Sequence, residues 1–228
     1  MNHSHRKTSI DGLDPLDRVG WLSEQPVSFR NWVAENGRWR RYAAGETIYL
    51  AGDEPDGMYG LGSGALDIAF PLQSDEPVAI HRAEPGFWIG EAALMAGATR
   101  LISLTAAADS RVYHIPVTAL RGLLERDPGC WRILYEQSFG SLSRALTLLA
   151  EALALSPRAR LSRLLLRLAN EEGRVYGNQD EFSRLIGMTR SSVRRALASL
   201  VETGAIRTGY RWLDIVDATR LAEISNEA

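Results

Sequence analysis

Residues 178–200 read NQDEFSRLIGMTRSSVRRALASL, a stretch with the periodicity of two short helices joined by a tight turn. In the first helix, Asp180–Ile186, the apolar residues Phe182, Leu185 and Ile186 share a face. Gly187 closes it, at a position where glycine can take the positive φ of a helix-ending turn. Thr189 stands where an N-cap is needed, since its hydroxyl can accept from backbone N–H groups that a first turn leaves free. The next helix buries Val193, Ala196, Leu197 and Leu200. At about 100° per residue, its opposite face carries Ser191, Arg194, Arg195 and Ala198, with Arg190 on the flank. This is a helix-turn-helix whose second helix is suited to the major groove. Arginine there can grip guanine bidentately or anchor a phosphate, small Ser191 and Ala198 permit close approach, and Thr189 and Ser192 add hydroxyls at the helix start. Residues 204–216, GAIRTGYRWLDIV, read as a two-stranded wing whose tip, Arg207 to Arg211, can reach the phosphate backbone.

Charge supports that reading without deciding it. The formal net charge of the 228 residues is −2, yet residues 156–211 hold 11 arginines against five acidic residues. A basic block in an otherwise acidic chain fits either a segment that meets phosphate or a solvated arginine-rich face. Upstream, Ser156-Pro157 ends or kinks a helix. The following stretch, to Glu172, is helical, with Leu161, Leu164, Leu165 and Leu168 on one face. Before the bend lies one long helix reaching about Leu155. Trp131, Tyr135, Ser138, Leu142, Ala145, Leu149 and Ala152 fall at alternating spacings of four and three. Such a seam pairs a helix with its copy in a second subunit, although the same stripe would serve packing on its own domain.

From Trp39 to Ile115 the texture is different. Short apolar runs (Thr47–Leu50, Met58–Leu61, Ala65–Phe70, Pro77–His81, Arg111–Ile115) alternate with glycine turns, which indicates an antiparallel sandwich or rolled barrel. A helical region between Asp14 and Gly37 precedes it, and a short helix, Pro116–Arg126, follows. The expected fold is therefore α+β. It has an antiparallel β-roll sensory domain at 13–127, a dimerisation helix at 128–155 and a winged helix-turn-helix at 156–228.

This combination resembles the Crp–Fnr, or cyclic-AMP-receptor-like, transcription regulators. The resemblance runs from about Leu16 to Ile224 and rests on AAGETIYLAGDEPDGMYGLGSG and PGFWIGEAALMAGATR in the first half, and on QDEFSRLIGMTRSSVRRALASLVETGAI in the second. It implies a homodimer whose roll controls two recognition helices, with the bend at Ser156-Pro157 swinging them into register. Two reading heads about 34–36 Å apart match one turn of DNA, so a near-palindromic operator in double-stranded DNA is expected. RNA polymerase is the further partner that a regulator of this kind implies.

The resemblance also implies a phosphate-binding cassette, Gly90-Glu91-Ala92, with Arg100 nine residues after the glutamate. Arg100 would hold a phosphodiester and Glu91 a ribose hydroxyl. The pattern then breaks. Leu101 and Ile102 stand where cyclic-nucleotide binders carry small residues, often with a hydroxyl. The purine contacts of the seam helix would fall near Ala145 and Leu146, which cannot hydrogen-bond a base through their side chains. Trp88 lines this pocket or fills the core. Three states stay open: a small effector other than a cyclic nucleotide, which is expected; a cyclic nucleotide; or no effector, with Glu91 and Arg100 as a structural ion pair.

Other classes find little support. Cys130 is the only cysteine, so no disulfide, four-cysteine zinc site or cysteine-ligated cluster can form. His3 and His5 in the N-terminal arm read as a tail, not as metal ligands. His114, between inward Tyr113 and Ile115, is expected to point outward, and His81 could touch a ligand but reads as a loop residue. Gly60-Leu61-Gly62-Ser63-Gly64 matches no nucleotide-binding fingerprint, and Lys7 is the only lysine, so no enzyme is expected, and no catalytic or metal residues. No apolar run approaches the roughly 18 residues of a membrane span, and MNHSHRKTSIDG has no signal-like stretch, which makes a cytoplasmic protein without membrane contact the expectation.

Overall fold

A computed structural model describes residues 10, 12–72 and 77–227 of the chain. It forms two compact units, residues 1–142 and 143–228, with the division inside the long helix. His3 and His5 lie outside the described residues.

The first unit opens with turns and a single 3-10 turn, Trp21–Glu24, before helix α1 (Val27–Asn36). Helix therefore covers much less of 14–37 than the apolar spacing suggests. Among the described residues eight strands follow: β1 (Arg38–Tyr42), β2 (Thr47–Tyr49), β3 (Gly57–Ser63), β4 (Leu66–Phe70), β5 (Val78–Ala83), β6 (Trp88–Ile89), β7 (Ser103–Ala106) and β8 (Ser110–Pro116). Helix α2 (Glu91–Ala96) interrupts them, and α3 (Val117–Arg126) closes the series. The strands form two antiparallel four-stranded sheets, ordered β1-β8-β3-β6 and β2-β7-β4-β5. Tyr49, Tyr59, Leu61, Leu66, Ile68, Leu104 and Val112 make one core cluster.

A second core cluster covers the other face of the first sheet. It joins Met58, Trp88, Tyr113 and Ile115 to Phe29 and Val33 of α1, Leu120 of α3, and Leu134 at the start of the long helix α4 (Cys130–Ala154). Gly60 is needed here because a Cβ would sit 2.6 Å from the Trp88 ring. With both faces of the sheet buried, alternation along β8 has no solvent side. Tyr113 and Ile115 point to the helices, and His114, expected to face outward, is instead 2% exposed. That expectation fails because helices cover the face that a half-exposed strand would give to water.

In the second unit, Ser156 caps α5 (Pro157–Leu168) by accepting from the backbone N–H of Ala159, and Pro157 occupies the first turn, where its missing N–H costs nothing. Strand β9 (Arg174–Tyr176) follows, then α6 (Gln179–Leu185), α7 (Arg190–Glu202), β10 (Ile206–Thr208), β11 (Trp212–Ile215) and α8 (Ala218–Ile224). The wing has three strands, ordered β10-β11-β9, and not two. Three residues between Gly173 and Gly177 are too short a run to show strand periodicity, and β11 recruits them by pairing Leu213 with Val175. One core gathers Leu161 and Leu165 of α5, Phe182 of α6, Val193, Leu197 and Leu200 of α7, Leu213 of β11 and Leu221 of α8.

Candidate nucleic-acid interface and sensor site

The turn between α6 and α7 is built as its residues require. Asn178 Oδ1 accepts from the N–H groups of Asp180 and Glu181 at 3.0 Å, and Glu181 Oε2 accepts in return from the Asn178 N–H at 3.0 Å, a complete capping box. Gly187 has φ +57°, the left-handed value that ends α6 without a Cβ penalty. Thr189 Oγ1 accepts from the Ser192 N–H at 3.2 Å and shares its hydroxyl with those of Ser191 and Ser192, each at 3.0 Å. With Val193, Ala196, Leu197 and Leu200 buried beneath, α7 turns Ser191, Arg194, Arg195 and Ala198 to solvent.

The arginines are not equivalent. Arg194 makes no hydrogen bond or ion pair among the described residues, and Arg195 only leans on the Ser192 hydroxyl at 3.4 Å. Arg190 is ion-paired to Asp180 at the start of α6. In the wing, Arg207 is held by Asp214 at 2.9 Å, a carboxylate that also takes Arg174 at 2.7 Å. The bonds from Arg174 and then Arg207 keep the Asp214 carboxyl below its ordinary range. Arg211 lies in the turn between β10 and β11 with φ +61°, beside the almost fully exposed Tyr210. Nothing in residue spacing signals these acidic partners, because the wing pairs close across strands.

In the first unit the cassette residues converge, but on different partners from those expected. Gly90, with φ +115°, caps α2, and Glu91 follows, 2% exposed. Glu91 Oε1 accepts from the Ser138 hydroxyl of α4 at 2.9 Å, while Oε2 is buried with no hydrogen-bond partner among the described residues. Burial pushes this carboxyl up from its ordinary value, against the pull of backbone N–H groups, Ser138 and Arg100. Arg100 is also buried and lies 4.2 Å above the Tyr49 ring. It donates from Nη1 to the Gly90 carbonyl at 3.0 Å, and from Nη2 to the Gly57 carbonyl at 2.7 Å and to Asp56 Oδ1 at 3.0 Å. No Glu91–Arg100 ion pair exists among the described residues; the acid facing Arg100 is Asp56.

Asp56 also accepts from the Tyr59 hydroxyl at 2.6 Å and lies 3.3 Å from His114 Nε2. Partial burial works against its charge, but the bonds from His114, Tyr59 and Arg100 outweigh that and hold the carboxyl well below the usual carboxylate range. Sequence reasoning had named Arg100 and missed Asp56, Tyr49, Tyr59 and His114. Asp56 lies inside a quoted stretch, yet its partner is 44 residues away and is found only through the sheets. Leu101 is 69% exposed beside the site, Ile102 packs partly into the inter-sheet core, and Ala92 is exposed. Trp88 is a core residue whose carbonyl accepts from Gln137 of α4. His81, read as a loop residue, lies in β5 with its ring 5.5 Å from that of Phe87 and tilted by 47°.

Along α4 the exposed apolar residues are Trp131, Tyr135, Phe139, Leu142, Leu146, Leu149 and Leu153. Of the expected seam, Trp131, Tyr135, Leu142 and Leu149 lie on this stripe. Ser138 instead turns to Glu91, and Ala145 and Ala152 are exposed beside the stripe. Among the described residues no group of three His, Cys, Asp or Glu side chains could hold a metal, and no helix is long and apolar enough to cross a membrane.

Comparison with known proteins agrees with both halves. Residues 39–127 match the family model of the cyclic nucleotide-binding domain, and residues 159–224 that of the Crp-like helix-turn-helix domain. The chain is 25% identical over 190 residues to the CRP-like cAMP-activated global transcriptional regulator of Mycobacterium tuberculosis, spanning 79% of this chain and 85% of that protein. It is 28% identical over 197 residues to the transcriptional regulator LdrP of Thermus thermophilus, spanning 83% and 96%. FixK2 from Bradyrhizobium japonicum superposes with a TM-score of 0.75 at 20% identity, over 84% of this chain and 98% of that one.

The Asp56 network carries a pH signature. A carboxyl lowered by folding adds stability above its unfolded value, and that stability is lost as pH falls toward the folded value. Asp56→Asn is therefore expected to unfold at lower urea than the parent near neutral pH. The gap should close as the pH drops below the ordinary 3.8 of an aspartate. A gap of constant size across that range would remove the charge of Asp56 from the account.

Proposed function

The chain belongs to the Crp–Fnr family of transcriptional regulators, and from that premise we propose that it acts as a homodimer reading a near-palindromic operator through α7. The observation that carries the reading is the exposed face of α7, where Arg194 and Arg195 stand clear of acidic partners over small Ser191 and Ala198. These two arginines are assigned to bases. Thr189, Ser191 and Ser192 line the helix start, and Arg190, Arg207 and Arg211 approach phosphates, the first two after exchanging an acidic partner for DNA. Ser191 stands where some relatives carry an acidic base reader, so their operator is not assumed.

Dimerisation is proposed through the exposed stripe of α4, with Phe139, Leu146 and Leu153 taking the seam places first given to Ser138, Ala145 and Ala152. Fully burying a leucine is worth about 1.5–3 kcal/mol, and the part of each side chain still exposed along this stripe sets its share of that gain against the cost of association. RNA polymerase is the proposed further partner.

For the sensory unit we propose an effector other than a cyclic nucleotide, acting by population shift, so that it binds the DNA-competent form more tightly. The support is the engagement of Arg100 with Asp56, Gly57 and Gly90, and of Glu91 with Ser138, which leaves neither group presented to a phosphodiester or a ribose. Cyclic-nucleotide gating is the second reading, favoured by the convergence of Gly90, Glu91 and Arg100 in one place.

Two measurements test these assignments. Arg195→Ala should weaken operator binding by about 1–3 kcal/mol and relax the preference at one base pair of each half-site. Unchanged affinity would show that the reading face is misassigned. Titration of the protein with cyclic AMP in a calorimeter should give no binding heat up to millimolar ligand, whereas micromolar binding would establish the second reading.

A further inference from the structure

Glu151 lies in the final turns of α4 and is 8% exposed. Its Oε1 accepts from Arg163 Nη1 at 3.2 Å and from Arg167 Nη1 at 3.1 Å, and its Oε2 from Arg167 Nη1 at 2.9 Å. Both arginines belong to α5, on the far side of the bend at Ser156-Pro157. Arg163 reaches further: its Nε donates to the Ser225 carbonyl at 2.8 Å and its Nη2 to Asn226 Oδ1 at 2.9 Å, just beyond α8. One carboxylate thus ties the end of the seam helix to the first and last helices of the winged head. A buried carboxylate is tolerated only when its charge and lone pairs are matched, and two guanidiniums provide that match here. Swinging α5 about Ser156-Pro157 would pull both guanidiniums away from Glu151 and break the charge-assisted hydrogen bonds they donate to its carboxylate.

We infer that Glu151 is a positioning residue that fixes the reading head to the last turns of α4, so that the orientation of α7 is set by the seam helix and not by rotation at the bend. The inference rests on the two-headed dimer proposed above. Its consequence is specificity for half-site spacing. One inserted base pair shifts a half-site by about 3.4 Å and turns it by about 35°. A clamped head cannot follow that displacement, while an unclamped one can.

The test compares binding of the full-length protein to its operator, to the same operator with one base pair inserted between half-sites, and to a single half-site. The parent protein should lose about tenfold or more in affinity on insertion. In Glu151→Gln, and independently in the double variant Arg163→Gln/Arg167→Gln, the loss should shrink to within about twofold, with single half-site affinity as in the parent. The half-site measurement also reports that the head is folded. Spacing selectivity retained in both variants overturns the clamp. Loss of half-site affinity in both also counts against it, because the ion pairs would then serve the folding of the head and not its placement. A parent protein indifferent to spacing overturns the two-headed reading itself, and the clamp with it.

Discussion

Helix α4 must satisfy three sets of neighbours along one 25-residue rod, and most of the architecture follows from how its faces are divided. Leu134, Gln137 and Ser138 face the roll, where they meet the helix-side core, the Trp88 carbonyl and Glu91. Near the other end, Glu151 faces the arginines of α5. Tyr135, Phe139, Leu142, Leu146, Leu149 and Leu153 remain, each more than half exposed, at the four-three spacing of a two-stranded seam. An apolar stripe of that length is far more than a stand-alone soluble chain usually leaves in water. The proposed dimer is the arrangement that removes it.

The sensory unit shows why a motif does not by itself fix a ligand. Gly90, Glu91 and Arg100 occupy the positions that the family resemblance gives them, yet each is engaged within the chain. Arg100 lies on the Tyr49 ring with Asp56 against its guanidinium, and Asp56 is held in turn by Tyr59 and His114. A phosphodiester entering here would compete with an acid already bound at short range. Charge neutralised inside a protein is not easily lent to a ligand, because the displaced carboxylate would have to find new partners or return to water.

Legibility in the sequence tracked how local each signal was. The helix-turn-helix could be read because turn, cap and burial all act within a few residues: the positive φ of Gly187, and Thr189 with Ser192. The roll was legible as a texture of short apolar runs and glycine turns, and the long helix through its heptads. What escaped depends on contacts distant in sequence. His114 was misplaced because nothing local tells that helices cover the outer face of its sheet. Asp56 was missed because its arginine is reached only after four more strands. The exposed apolar stripe runs through Phe139, Leu146 and Leu153, one residue beyond Ser138, Ala145 and Ala152, since a heptad stripe gives the period of a helix but not which side the roll has already taken. Strand β9 is too short to announce itself and exists because β11 offers it an edge.

The central claim is that two α7 helices enter successive major grooves on one face of the DNA. Mapping guanine N7 accessibility to dimethyl sulfate across a bound operator tests it most directly, since N7 lies in the major groove. The account predicts two protected blocks related by a dyad, with centres about one helical turn apart. A single protected block, or a bound operator whose guanine N7 positions stay fully accessible, would contradict it.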